Sequence, residues 1–484
     1  MMMQDFMQFF DSYEAFKYVY GISGFHRIHG SDGLVKAAEY VYENLKVKDK
    51  EVLLFKYDGE TKYGSLVAPM GWEPLGGDLA VDGQRVTGFK EVPLFVVPHS
   101  PPGEAEGVVT EKIDDANGKI FMSASFSARA DYVNAVKAGA KAVIFYSDSL
   151  PETATPYRSL FLKKDEMDYS APALAVPRRL ARELREKTVK INVEAERGPK
   201  DLPVVYAKNG SNFLVSAHVC HPYPGANDNA SGAGLSLALA NSGANADFLW
   251  IPEHYGSMAF FSKYRPHYDF GINLDMVGEN QKLTGSKLQI SYTPLSQKSS
   301  YEELFKRAVK ELGRSRDIAY EFTPFDTGSD HAVLVQNGIP AIDLTNWPDR
   351  YYHSSEDFVD KVSTETLEFV GRVVLKFLET PITDDVYEGW RLKYRGFLVE
   401  RVGKRFAEDL LSLDARPYKN SLPNFRNRPR QNGGASPHTM HMGGAVLEYV
   451  NLRERVGEEG ALRAVNSVYG LREDELKELA GFME

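Results

Sequence analysis

Residues 213–241 read FLVSAHVCHPYPGANDNASGAGLSLALAN, and the order of their segments decides how the rest of the chain is read. Phe213–Ala217 is a short apolar run of the length expected for a buried strand. The turn that follows is rich in Pro, Gly, Asn and Asp, and Gly232–Asn241 has the pattern of a helix preceded by natural caps. In open α/β sheets ligands bind beyond the carboxyl ends of the strands, so His218, directly after the strand, is a candidate for binding chemistry. Asp228, in the turn, is either a helix cap or a carboxylate that offers one oxygen to each of two metals.

Outward from this unit, Ala246–Ile251, Phe270–Leu274 and Ile339–Leu344 are further apolar runs, and Tyr301–Gly313 and Thr364–Leu378 have helical spacing. Strands alternating with helices predict an α/β fold with a mostly parallel, mixed sheet flanked by helices. Glu253 and His254 follow the second strand, Asp275 follows the third, and His353 lies in the polar run RYYHSSED at 350–357. Imidazoles and carboxylates gathered at the strand ends suit a metal centre, where paired ions polarise a carbonyl and generate hydroxide near neutral pH.

The flanking regions differ in character. Asp32–Val47 predicts an amphipathic helix and Glu51–Tyr57 a strand, so residues 1–60 and 200–384 are expected to form one discontinuous catalytic domain. Residues 61–199 carry short β-like runs with scattered Gly and Pro and predict an inserted, mainly β domain. Residues 385–484 hold a basic Pro/Gly-rich stretch before a helical end and predict a small C-terminal domain. A total of 57 Lys+Arg against 67 Asp+Glu argues against a nucleic-acid partner. The start lacks a signal-like pattern, no stretch has the length of a membrane span, and Cys220 is the only cysteine, so the expected location is cytoplasmic and away from membranes.

Together these residues resemble metallopeptidase family 28, the zinc aminopeptidases. The resemblance rests on PGANDNASG at 224–232, EHYG at 253–256, NLDMVG at 273–278, GSDH at 328–331 and Tyr352-His353. It implies that Asp228 bridges two metals, that His218 and Asp275 complete one site and His254 and His353 the other, and that Glu253 is the general base. The cofactor implied is zinc, as one or two ions, with manganese or cobalt also fitting such donors. A peptide is the implied substrate partner, and a homo-oligomer is open. Gly107–Ser149 resembles the protease-associated domain found in exopeptidases.

Three departures qualify the resemblance. His254 stands where the family has a carboxylate. The family's His-x-Asp is His218-Val-Cys220, followed at once by His221; a related group of aminopeptidase-like proteins carries Cys-His-Pro, so either histidine is a candidate ligand, and Cys220 is a lesser one. Asp330 and His331 are expected either to orient a ligand or to begin a helix. His26 and His29 read as structural, and His438 and His441 form a weak metal-like pair in the C-terminal region. The alternatives to an aminopeptidase are a single-zinc amidohydrolase or glutaminyl-cyclase-like enzyme on the same fold, and a binding protein without catalysis.

Overall fold

The computed structural model describes residues 9–314, 316–413, 437–471 and 473–480. Its central sheet contains β1 (Lys50–Tyr57), β2 (Lys200–Ala207), β3 (Phe213–His218), β4 (Asp247–Ile251), β5 (Phe270–Leu274), β6 (Lys287–Ser291), β7 (Tyr320–Thr323) and β8 (Ala341–Trp347), in the spatial order β1-β2-β4-β3-β5-β8-β6-β7. The middle strands β4, β3, β5 and β8 run parallel. Antiparallel pairs flank them, β1 with β2 and β2 with β4 on one side and β8 with β6 on the other. The sheet is thus mixed with a parallel centre. Buried on both faces, β4 and β5 are apolar along nearly their whole length, as parallel strands require.

Helices α1 (Ser12–Ser23), α2 (Asp32–Asn44), α3 (Gly232–Asn241), α4 (Tyr255–Lys263), α5 (Tyr301–Gly313), α6 (His331–Gln336) and α7 (Thr364–Glu379) cover this sheet. The α1, α3, α5 and α7 helices pack as one group, while α4 and α6 pack together elsewhere. Side chains close the exposed amide ends: Ser31 accepts from the Leu34 N–H at the start of α2, and Ser363 accepts from Glu365 and Thr366 at the start of α7.

A second sheet spans residues 72–197, in the order Gln84–Gly88, Trp72–Val81, Thr188–Arg197, Gly103–Thr110, Ile120–Ser123, Ala142–Phe145, Ala173–Ala175. The first four strands pair antiparallel and the last four parallel. It has its own apolar core around Trp72, Leu79, Ile120, Ile144 and Ile191. The helices α8 (Asp384–Val402), α9 (Lys404–Leu411), α10 (Pro437–Tyr469) and α11 (Glu473–Ala480) pack a third core around Leu398, Tyr449 and Val465. None of the described helices is long and apolar enough to cross a membrane.

Candidate metal centre

Register brings the candidate residues level. His218 pairs with Ile251 across β3 and β4, and Ser216 pairs with Asn273 across β3 and β5, so the chain leaves three adjacent strands at one height. His218, Glu253 and Asp275 consequently line the same small cavity.

Asp228 is carried in by the loop between β3 and α3, which side chains hold on both sides. The Asp357 carboxylate accepts from the Asn227 N–H at 2.9 Å and from the Asp228 N–H at 3.0 Å. The Asn229 carboxamide oxygen accepts from Gly232 and Met276, while its NH₂ donates to the Leu274 carbonyl at the end of β5. The cap expected of Asp228 is therefore supplied by Asn229, and the Asp228 carboxylate is left for other work. Two glycines make the loop possible. Gly225 has φ +52, and a Cβ there would stand 2.4 Å from His221 Nδ1; one on Gly232 would stand 2.1 Å from the Leu274 oxygen.

The Asp228 carboxylate divides its two oxygens between two donor sets. His218 Nε2 lies 3.3 Å from Asp228 Oδ1 and 3.2 Å from Asp275 Oδ1. On the other side, His221 Nε2 and His353 Nε2 lie 3.3 and 3.2 Å from Asp228 Oδ2. Within each set, His218–Asp228–Asp275 and His221–Asp228–His353, the donor atoms fall within 4.8 Å of one another. Main-chain carbonyls aim two of the rings: Cys220 O is 3.0 Å from His218 Nδ1 and Pro222 O is 2.8 Å from His221 Nδ1. With each Nδ1–H donating to its carbonyl, the Nε2 lone pairs face Asp228. The Cys220 carbonyl thus does the supporting work of the missing His-x-Asp carboxylate.

The two donor sets bear on two expectations. His218 and His221, alternatives in the sequence, fall in different sets. His254, expected beside His353, belongs to neither set, since His221 fills that side of Asp228. His254 has φ +59 where α4 begins, donates its backbone N–H to Asp330 at 2.8 Å, and holds its ring 3.4 Å from Glu253 Oε1.

The other singled-out residues lie around the sets. Asp330 Oδ1 accepts from the His254 N–H and from the Ser257 hydroxyl, so it fixes the turn that presents Glu253. Burial, with the Glu253 charge adding to it, pushes Asp330 up to about 7. His331 is buried and donates from Nε2 to the Asp326 carbonyl, outside both sets. Cys220 Sγ accepts from the Glu253 N–H at 3.0 Å and sits 3.3 Å from His29 Nε2. His26 accepts from the Tyr223 N–H, and His29 Nδ1 is 2.7 Å from the Tyr57 hydroxyl. The side chains of His438 and His441 lie outside the described residues.

Electrostatics favour an ionised Asp228. Burial opposes its charge, but the surrounding imidazoles, His221 foremost with His218 and His353, outweigh burial and hold it well below the ordinary carboxylate range. For His218, burial is likewise outweighed, here by Asp275 and Asp228, which raise it well above its usual value. His221 Nε2 is buried and makes no hydrogen bond, a state that a bound cation would relieve. Buried imidazoles and carboxylates in this mixture fit zinc.

Several residues at the centre carried no signal in the sequence reading. The Tyr157 ring lies 4.9 Å from His353 and 5.1 Å from His221, and Phe126 lies parallel to His353 at 6.2 Å. The Tyr157 N–H also donates to the His353 carbonyl at 2.7 Å, next to a bridge between Pro156 and Ser354. Both residues come from the 72–197 region, far from the ligands in sequence. Asp357 was within reach, four residues after His353 in the same polar run. A cavity of about 670 Å³ extends from the metal centre to this wall.

The chain matches peptidase family M28 over residues 204–378. No curated protein matches it by sequence. Among solved structures, it resembles a zinc aminopeptidase from Bacillus subtilis at 20% identity and a TM-score of 0.56, covering 78% of this chain and 99% of that one. An aminopeptidase from Aneurinibacillus sp. strain AM-1 aligns at 22% identity and a TM-score of 0.51, covering 78% and 98%. A Clostridium acetobutylicum chain assigned only provisionally as a peptidase aligns at 16% identity and a TM-score of 0.59, covering 87% and 91%. These likenesses establish the fold, and residues 204–378 carry the likeness to peptidase family M28.

Proposed function

We propose that the protein is an aminopeptidase that removes N-terminal residues from peptides with two zinc ions and Glu253 as its general base. The observation that carries this reading is the division of the Asp228 oxygens between His218–Asp275 and His221–His353, with Glu253 beside them. Zinc in these sets would polarise the scissile carbonyl and lower the pKa of the attacking water. Glu253 accepts the proton of that water as its oxygen adds to the carbonyl carbon. It then returns the proton to the leaving nitrogen as the C–N bond breaks. The small cavity of about 70 Å³, lined by Asp275, Asp326 and Asp343, offers carboxyl oxygens to accept from a free α-ammonium.

The domain of residues 61–199, read as protease-associated-like, restricts the cleft to short or extended chains. The free, buried Cys220 supports a cytoplasmic location. Release of the first residue from zinc-loaded protein and unblocked peptides tests the activity. N-acetylation and chelation should each abolish release, and Glu253→Gln should lower kcat by about 10²–10⁴-fold. Full activity of Glu253→Gln would overturn the mechanism. Retention of a single tightly held zinc per chain would favour a one-metal amidohydrolase instead.

A further inference from the structure

The larger cavity contains a cation that the peptidase chemistry does not use. Arg158 lines it and is 6% exposed. Its Nε–H donates to the Ser125 carbonyl at 3.1 Å and its Nη1 to the Tyr157 carbonyl at 2.8 Å. Among the described residues no carboxylate pairs with it, and Nη2 has no acceptor. The other arginines of the cavity are compensated: Arg129 pairs with Glu166, and Arg27 donates to the Phe25, Pro224 and Gly225 carbonyls behind the metal loop. Burial alone brings Arg158 down to about 10, still charged at neutral pH. Burying an unpaired guanidinium is costly, and a planar fork held by two carbonyls is suited to a carboxylate.

Its position ties it to the reaction. The guanidinium lies over the Phe126 ring, 5.1 Å from the centroid, and the His353 ring lies parallel to the same Phe126 ring at 6.2 Å. Arg158 also follows directly on Tyr157, whose ring contacts both His221 and His353. A positive charge therefore stands one aromatic ring from the second donor set, while the acidic pocket of Asp326 and Asp343 lies beside the first.

We propose that Arg158 is a specificity-determining residue that binds a carboxylate of the peptide substrate, so that the enzyme favours peptides carrying one within reach of the scissile bond. This rests on the peptidase reading of the same site. The carboxylate is either the C-terminus of a short peptide or an acidic side chain, and the chemistry at Arg158 is the same for both.

The test compares kcat/KM of the zinc-loaded protein on Leu-Gly-Gly against its C-terminal amide, and on Glu-Ala-amide against Gln-Ala-amide. The pair that shows a preference identifies the source. A preference of about 10-fold or more for the carboxylate member is expected in one pair, the size of a charged hydrogen bond. Arg158→Met should bring that ratio close to one, and Arg158→Lys should keep part of it. Ratios near one for both pairs in the unaltered protein, or an unchanged ratio in Arg158→Met, would overturn the proposal. If Arg158→Met fails to fold, Arg158→Lys and the unaltered protein decide. Calorimetric binding of the same four peptides to zinc-loaded Glu253→Gln separates the two readings. Absence of hydrolysis by the unaltered protein sinks the aminopeptidase, whereas equal binding of acid and amide in both pairs sinks the role of Arg158.

Discussion

Asp228 has three imidazole nitrogens within 3.3 Å of its two oxygens, and in the proposed two-zinc centre its charge would offset that of both cations in a buried site. Asp228→Asn keeps the shape and removes the charge, so both positions should weaken together. Metal analysis is expected to show less than one zinc per chain, with activity down at least about 10²-fold. The two neighbouring histidines should behave differently. His221→Ala should lose one zinc of two, while His254→Ala should keep both and change activity through Glu253, which its ring touches. Retention of two zinc ions in His221→Ala would contradict the assignment. This distinction was beyond the sequence, where motif order alone placed His254 in the second set. Which imidazole reaches Asp228 is set by the αL turn at Gly225 and by the carbonyls of Cys220 and Pro222, and none of these is a pattern of residue types.

At the scale of elements, the legible parts were those whose environment is uniform. The β3, β4 and β5 strands are buried on both faces and read as continuous apolar runs, and α7 shows its buried stripe at helical spacing. β6 and β7 were not legible: KLQIS and YEFT are short, of mixed polarity, and gain their identity only from pairing at the sheet's edge. The seating of α10 on the loop after β6 yields a prediction. Glu448 is buried there and accepts from the Leu295 and Ser296 N–H groups. Burial outweighs those bonds and pushes it up to about 7. Because the folded state holds this proton more tightly than the unfolded state, the group's stabilisation is present below its ordinary pKa of 4.5 and is lost as pH rises through 7. Hydrogen exchange of residues 384–411 should accelerate between those limits by an amount corresponding to about 3 kcal/mol at most, and Glu448→Gln should flatten the dependence.

For the molecule as a whole, the metal centre draws on the central sheet for its donors and on the 72–197 region for part of its wall. Ions that bind only the folded chain stabilise it by mass action, so free zinc at about 1,000 times its Kd should add about 4 kcal/mol. A thermal melt in chelator should lie several degrees below one in zinc, and Asp228→Asn should remove most of the difference. Identical melting in both conditions would show that these donors hold no zinc.

The wall and the donors are fastened through main-chain atoms, the Tyr157 N–H on the His353 carbonyl and the bridge from Pro156 to Ser354. A fastening made of amides is blind to side-chain identity. The Tyr157 side chain can therefore be exchanged without removing the hydrogen bond that its N–H makes to the His353 carbonyl. The exception is proline at 157, which has no N–H to give. The ring that faces His221 and His353 can in this way change without loosening the backbone tie that holds His353 beside Asp228.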